Sequence, residues 1–223
     1  PALLERIDWH NRVLTGDALH CQRGHCQHVL GGGGDYLLTV KPNQPEVYAA
    51  IHLLFDPPPT VDALPLDDRR VVQTVDYGHG RTWERRELVA STDLTGYLDW
   101  PGLAQVLRLE RRWQEHGQPK WAVHYAITSL APAQIELIRV LELHRGHWAI
   151  ENLLHRTKDV NFGEDASLIH AGAGPKVMAL LRDAAVSLLR GGGVRRIAAC
   201  LRRHGQYPAE AVALVVGPLP ARA

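Results

Sequence analysis

The amino-acid sequence predicts an α/β fold in which an antiparallel β insertion separates helical segments and a helical segment forms the C-terminal end. Strand-like and helix-like stretches alternate before residue 56, which favours an α/β core. Between about residues 69 and 128, four strand-like stretches are separated by turn-forming residues, which is typical of an antiparallel unit. Of the 223 residues, 45% are hydrophobic and 22% are charged. This ordinary globular composition excludes disorder, collagen and a coiled coil for the chain as a whole.

The cysteine count and the hydropathy pattern indicate a cellular compartment. Three cysteines in 223 residues exclude a disulfide scaffold. No apolar run approaches the roughly 18 residues that a membrane helix needs, and no secretory leader is visible. We therefore expect a cytoplasmic protein without a membrane segment.

The N-terminal part predicts strand, helix, strand and helix in turn, over residues 12–17, 18–30, 35–41 and 45–55. The glycines of 31–34 should end the first helix, because glycine adopts the positive φ of a helix C-cap. Pro42 should stop the second strand, and Pro45 is acceptable in the first turn of the second helix. Little chain precedes the first strand, so we expect an α/β core that is incomplete at its N-terminus.

The rest of the chain predicts four strands and then a run of helices. The strands are expected at 70–77, 82–90, 105–112 and 120–129, one long helix at 132–160, and three further helices at 176–189, 194–203 and 209–216. We accordingly expect four parts: a partial core over 1–60, a β-rich insertion over 61–130, a helix that completes the core over 131–165, and a basic helical segment over 166–223.

Charge is distributed unevenly although the formal net charge is only +1. Residues 175–223 contain eight Lys or Arg residues and two acidic residues, a balance of +6. Most of the basic residues in the chain are arginines, whose planar guanidinium suits bidentate phosphate contacts. A basic end predicts a polyanionic partner such as DNA. A solvated helical surface explains the same charge equally well.

The predicted long helix carries an unusual set of polar side chains on one face. At about 100° per residue, an arc of roughly 80° contains His144, His147, Glu151, His155 and Lys158. Apolar residues occupy the other side, which should pack on the sheet. The polar arc concentrates titratable groups around one carboxylate, so it is either a functional surface or an ordinary polar helix face.

Two carboxylates could share a metal ion. Asp17 lies at the carboxyl end of the first predicted strand, where ligands bind in open α/β sheets. Glu151 lies on the polar arc of the long helix. Mg²⁺ takes oxygen ligands and is usually held by few carboxylates together with substrate phosphates. The pair therefore suits phosphoryl transfer assisted by two metal ions, although Asp17 could equally cap a helix.

Successive blocks of the sequence resemble one family. They are LTGDALHCQ, GGGGDYLLTVKPNQPEVY, YGHGRTWERRE, YAITSL, RGHWAIENLLHRTKDVNFGEDAS and GPKVMALLRDAAVSLLR. In order, from about residue 12 to 216, they resemble the bacterial insertion-sequence DDE transposases of the H-repeat-associated (ISAs-type) family. The resemblance implies a ribonuclease-H-like core with a β insertion before the last catalytic helix.

The resemblance also implies site residues and a cofactor. Asp17 matches the second catalytic Asp of the family and Glu151 matches its Glu, so both are expected to be catalytic and to hold Mg²⁺ or Mn²⁺. His144, His147, Glu151 and Lys158 occupy the Tyr, Arg, Glu and Lys positions of the wider group's signature. The block with the family's first catalytic Asp is absent, so we expect a truncated form that is inactive on its own.

The expected function is metal-dependent cleavage and strand transfer of insertion-sequence DNA. The partners would be double-stranded DNA, both element ends and target, and a second copy of the full-length protein, in a bacterial cytoplasm at the nucleoid. The predicted DNA-binding residues are Lys41, Asn43, Gln44, Arg81, Arg86, His147, Trp148 and Lys158. Two alternatives remain open: a non-catalytic DNA-binding remnant, and another metal-dependent nuclease with a ribonuclease-H-like core.

Overall fold

A computed structural model describes residues 4–59, 68–78, 81–115, 117–150 and 156–217. The chain divides into two compact units, Pro1–His147 and Trp148–Ala223. The first unit contains the sheet, and the second is helical in its described part. The finer division into four parts stays a prediction.

The first unit is built on a six-stranded mixed sheet. Its strands are β1 (Val13–Gly16), β2 (Asp35–Val40), β3 (Arg70–Gly78), β4 (Arg81–Ser91), β5 (Gln105–Glu115) and β6 (Gln118–Thr128). Their order across the sheet is β1-β2-β6-β5-β4-β3. Only the β1–β2 pair is parallel; the other neighbours are antiparallel. The four strands of the expected β insertion thus continue the sheet that β1 and β2 begin.

Hydrogen bonds between side chains and backbone close the junction of β2 and β6. The Ser129 hydroxyl accepts a bond from the Tyr36 amide at 2.9 Å and donates to Asp35 Oδ1 at 2.7 Å. The Thr128 hydroxyl donates to the Tyr36 carbonyl oxygen at 2.6 Å. These contacts join residues more than 90 positions apart, so they fix the register in which the two halves of the sheet meet.

The helices of the described chain are α1 (Arg23–Gly31), α2 (Pro45–Phe55), α3 (Leu137–Ile150), α4 (Arg156–Phe162), α5 (Gly174–Gly191), α6 (Ile197–Gln206) and α7 (Pro208–Val216). The expected helix over 18–30 starts five residues late. Residues 18–20 form a turn instead, and side-chain amides take two carbonyl oxygens of this segment: Asn43 donates to Ala18 and Gln44 donates to Cys21, both at 2.8 Å. The long helix expected over 132–160 starts five residues late, because residues 132–135 form turns and a bend. Its described parts are α3 and α4, and residues 151–155 lie outside the described part.

The sheet has two differently covered faces, as alternation along strands requires. On the first, the α2 face, Val47, Ile51 and Leu54 of α2 belong to one apolar core with inward residues of β2, β5 and β6. On the second, the α3 face, Val140 and Leu141 are fully buried among Leu37, Leu88, Ala90, Leu107, Leu109 and Ala126. Each helix layer thus buries one side of the same sheet.

A mirrored pair of motifs brings four arginines together in the sheet. Residues 83–87 read WERRE and residues 110–113 read ERRW. The antiparallel register places Arg86 opposite Arg111 on the α3 face and Arg85 opposite Arg112 on the α2 face. Like charges directly opposite each other destabilise a sheet, so both pairs need carboxylates beside them.

Glu84 supplies that carboxylate on the α3 face. Its Oε1 lies 2.7 Å from Nη2 of Arg86 and 2.7 Å from Nη2 of Arg111. Arg86 also pairs with Asp76 of β3, and Asp76 accepts Arg145 of α3 at 3.2 Å. The side chain of Glu84 is only 7% exposed, so this is a buried network that ties three strands and α3 together.

The helical unit has a small core of its own. Val186, Leu189 and Ile197 are buried, and Phe162, Leu201 and Leu214 pack around them. Lys158 of α4 contacts Glu164 at 3.1 Å and Asp183 of α5 at 3.0 Å. In the part of the chain that is described, no helix is long and apolar enough to cross a membrane.

Replacing Glu84 by glutamine should destabilise the sheet strongly. Arg86 and Arg111 would remain opposite each other and lose the carboxylate that they share, while Arg86 keeps Asp76. Loss of one partner in a buried network costs up to about 3 to 5 kcal/mol. Glu87→Gln is the matched control, because Glu87 is a more exposed carboxylate beside the arginine pair on the α2 face, where such contacts are worth up to about 1 kcal/mol. Urea unfolding measures the free energy of unfolding of both variants. Equal losses of this free energy would contradict the proposed role of Glu84.

Candidate functional site

The end of β1 forms the first half of the candidate site. Asp17 follows Gly16 directly and is half-buried. One carboxylate oxygen, Oδ1, accepts the backbone amide of Leu19 at 3.1 Å, which holds the side chain in a turn. Within the described residues, the second oxygen takes part in no hydrogen bond or ion pair. Asp17 therefore presents one available hard oxygen ligand at the carboxyl end of the strand.

The segment after β2 supports this turn. The amide groups of Asn43 and Gln44 donate to backbone carbonyls on either side of the turn that follows Asp17. The structure thus places Asn43 and Gln44 against the turn that follows Asp17 and gives both of them a role in positioning the loop. A DNA contact by either residue stays a prediction.

A row of cations crosses the α3 face at the carboxyl end of β2. Lys41 follows β2, and its positive charge contributes to lowering the pKa of His124 on β6. His124 and Arg111 of β5 in turn contribute to lowering the pKa of His144 on α3. Arg86 lies opposite Arg111. With Arg145, this cationic row runs from β2 to the far edge of the sheet, so sequence positions from 41 to 145 converge on one surface.

His144 lies on the buried side of α3. It is 8% exposed and follows Val140 by one helical turn. The sequence pattern predicted that the apolar side would face the sheet and the histidines the opposite direction, and for His144 this is wrong. Val140, Leu141 and His144 share one stripe at the i, i+1, i+4 spacing, so the imidazole packs against the strands instead.

Burial and neighbouring charge shift the titration of His144. Its pKa falls from 6.5 to about 4, first because burial disfavours the imidazolium and then because His124, His147 and Arg111 are close. The pKa of His124 is lowered by burial and by Arg111 and Lys41. Within the described part of the chain, the buried Nδ1 atoms of His144 and His147 make no hydrogen bond. The row is therefore electropositive from its Arg and Lys residues, with a neutral imidazole at its centre.

The other predicted DNA-binding residues have different surroundings. Arg86 is 12% exposed and pairs with Glu84 and Asp76. Lys158 is buried against two carboxylates, and hydrogen bonding to Asp183 raises its pKa, with a further contribution from Glu164. Both side chains therefore stabilise their own unit, and DNA contacts by them stay predictions.

Three of the predicted site residues have side chains that lie outside the described part of the structure. Glu151 lies outside the described residues, so the distance between Glu151 and Asp17 lies outside the description as well. Arg81 and Trp148 belong to β4 and α3, but their side chains lie outside the description. Among the residues that are described, no group of three or more His, Cys, Asp or Glu side chains could hold a metal ion.

Several residues of the α3 face are not among the predicted site residues. They are His124, Arg111, Arg145 and Asp76. The signal was present in the strand pattern, because His124 shares the period-2 face of the buried Ala126 and Arg111 belongs to the mirrored ERRW motif. A charged or titratable residue on the inward face of a strand is informative precisely because it is rare.

A second concave surface lies on the α2 face. This cleft, about 900 Å³ in volume, has walls of Tyr48, Trp83, Trp121 and Tyr125. At its floor, Arg108 donates to Asp56 at 2.8 Å and the Tyr125 hydroxyl donates to Asp56 at 2.5 Å. Burial alone would raise the pKa of Asp56, but these hydrogen bonds lower it overall. The floor of the cleft is thus the Asp56–Arg108 ion pair, and aromatic side chains form the walls above it.

Comparison with known proteins identifies relatives over most of the chain. Residues 1–189 match the family model of the transposase DDE domain. The chain is 28% identical over 207 residues to "Putative transposase YncI" of Escherichia coli O157:H7, an alignment that covers 88% of this chain and 51% of the relative. It is 27% identical over 198 residues to "H repeat-associated putative transposase YhhI" of Escherichia coli (strain K12), with 85% and 50% covered. The chain thus spans about half the length of these curated relatives.

Acid should destabilise the first unit through His144. Its folded-state pKa of about 4 lies below the ordinary 6.5, so the unfolded chain binds more protons between these values. Stability is therefore complete above about pH 6.5 and falls by up to about 3 kcal/mol as the pH drops to 4. Unfolding free energies measured across this range should show a smaller slope for His144→Gln. The control is His10→Gln, an exposed site, which should keep the parent slope; an unchanged slope in His144→Gln would contradict the assignment.

Proposed function

The chain belongs to the transposase DDE domain family, and from that premise we propose that it acts in metal-dependent cleavage and strand transfer of insertion-sequence DNA. The single observation that carries the proposal is a strand-end carboxylate, Asp17, whose second oxygen takes part in no hydrogen bond or ion pair with the described residues. The parallel β1–β2 pair with α1 between its strands supports a ribonuclease-H-like core as the framework of this site.

We propose that Asp17 and Glu151 hold Mg²⁺ or Mn²⁺. DDE transposase domains generally use divalent metal ions, and Asp17 fits one, since its available donor is a carboxylate oxygen of the kind that these ions prefer. A bound ion supplies Lewis-acid stabilisation of the attacking and leaving oxygens in phosphoryl transfer. Asp17 would be oriented by the Leu19 amide and by the loop that Asn43 and Gln44 hold.

The DNA substrate would contact two surfaces. The first is the α3 face, where Lys41 is exposed at the end of β2 and His147 is half-buried on α3. The second is the helical unit, where Arg195, Arg196 and Arg202 are exposed. Contacts of Lys and Arg with phosphates position DNA without reading its sequence. We propose that these surfaces hold element ends and target DNA.

A DNA-binding protein without chemistry is the second candidate, and the basic composition of residues 175–223 favours it. Binding of this kind needs the arginines but neither carboxylate. For either candidate we propose association with the nucleoid and pairing of two copies, since transposition must act on two element ends.

Removing either carboxylate should weaken metal binding and spare DNA binding. We expect Asp17→Asn and Glu151→Gln each to lower the affinity for Mn²⁺ at least about tenfold, because each variant replaces an anionic oxygen ligand by a neutral amide. Mn²⁺ titration followed by electron paramagnetic resonance measures the affinity. The matched control is Glu142→Gln, an exposed carboxylate of α3 that pairs with Arg139. Equal Mn²⁺ affinity in all variants would contradict the proposed metal site and leave DNA binding without chemistry as the remaining candidate.

Salt dependence should identify the arginines that contact phosphates. Neutralising Arg195, Arg196 and Arg202 together by glutamine should lower the slope of log affinity against log salt by about 2 to 3 for a random duplex, since each phosphate contact contributes about 0.9. Arg203→Gln is the control, because its guanidinium already pairs with Glu210 at 2.7 Å. Fluorescence anisotropy at several salt concentrations gives the slopes. A triple variant with the parent slope would rule out this surface.

A further inference from the structure

Strand β3 forms one edge of the sheet, and several of its apolar side chains are unusually exposed. It pairs with β4 on one side, and no described strand pairs with it on the other. Val71, Val75 and Tyr77 point to the α2 face and are 46%, 51% and 78% exposed. Natural edge strands are usually protected by charged side chains, proline, bulges or short length. The nine residues of β3, RVVQTVDYG, contain neither lysine nor proline, and the register irregularity of the strand lies near its end, between Asp76 and Gly78.

We propose that β3 is an interface for a second copy of this chain, joined by antiparallel pairing of the two β3 strands with Gln73 opposite Gln73. The inference deepens the proposed pairing of two copies by naming its surface. A second copy fits because the strand is self-complementary in this register. Arg70 comes opposite Asp76 of the other copy, in addition to the pairs that Arg70 makes with Asp68 and that Asp76 makes with Arg86 and Arg145 within one copy. Val71 comes opposite Val75.

Neighbouring registers are poorer. Centring the pair on Val72 places Asp68 opposite Asp76, a like-charge contact that opposes pairing. Centring it on Thr74 places Arg70 opposite Gly78 and removes the opposite-charge contact. Only the Gln73 register combines two Arg–Asp pairs with two Val–Val pairs that cover exposed apolar area. Such cross-strand pairs each contribute favourably to a sheet.

The symmetry of this pairing has a functional consequence. A two-fold axis relating antiparallel strands of one sheet is perpendicular to that sheet, so both copies present their α3 faces on the same side. Two copies of the six-stranded sheet would form one sheet of twelve strands. At about 4.8 Å between strands, the two β1 edges would be separated by roughly 50 Å. The two Asp17 turns would then lie at opposite ends of a single cationic surface.

Disulfide trapping tests the register directly. In a Cys200→Ser background, where the remaining Cys21 and Cys26 are buried, Gln73→Cys should form a covalent dimer on mild oxidation. Val71→Cys is the matched control, because residue 71 faces residue 75 and should not link to itself. Mixing Val71→Cys with Val75→Cys should restore the link. Linking of Val71→Cys alone as readily as Gln73→Cys would overturn the register.

Sedimentation equilibrium tests the interface without any crosslink. The parent chain should self-associate, and Val75→Lys should weaken the association at least about tenfold, because it places a charge at the centre of the apolar contact. Tyr97→Lys, at a loop residue that is 77% exposed, should leave it unchanged. Circular dichroism checks that each variant is folded. A monomeric parent chain, or a dimer that Gln73→Cys does not trap, would overturn the proposal. No DNA or metal is present, so either result leaves the proposed chemistry to be judged separately.

Discussion

The carboxylate of Glu84 is the interaction on which the outer part of the sheet depends. Arg86 and Arg111 are opposite each other in the β4–β5 ladder. Without Glu84, the two guanidinium groups would repel each other in partly desolvated surroundings. With Glu84 between them, the two guanidinium groups become the centre of a network that extends to Asp76 and Arg145. One buried side chain therefore joins β4 to β5 and is linked, through Arg86 and Asp76, to β3 and α3.

This network also explains why the α3 face is both stable and electropositive. Among the described residues, Arg86, Arg111 and Arg145 share the carboxylates of Glu84 and Asp76, and Lys41 adds a positive charge at the end of β2. Protonation of His144 would add a further charge next to Arg111, and burial opposes it. Structural ion pairs and a surface suited to phosphate thus use the same side chains, which is a reason why single arginines cannot be assigned to one role from the sequence.

Local patterns predicted the elements well, and long-range contacts decided the rest. The second helix begins and ends at the expected residues, and the four strands after residue 69 lie within a few residues of their predicted bounds, because alternation and turn residues act over short distances. The late start of α1 depends on amides of Asn43 and Gln44, which no local pattern records. The joining of β6 to β2 and the inward direction of His144 depend on packing between distant segments. Asp17 was identified as the carboxylate at a strand end, and the outcome for Glu151 stays a prediction.

The hydrogen bonds of Tyr36 with Thr128 and Ser129 impose an order on folding. β2 is synthesised early, but its antiparallel neighbour β6 is completed nearly ninety residues later. At typical synthesis rates of about 5 to 20 residues per second, β2 would wait on the order of 4 to 18 seconds before its second edge could be paired. During that interval a nascent chain exposes apolar strand residues such as Leu38 and Val40. Contacts between such distant segments also slow the folding of a domain, so chaperone protection during synthesis would matter more for this chain than its size suggests.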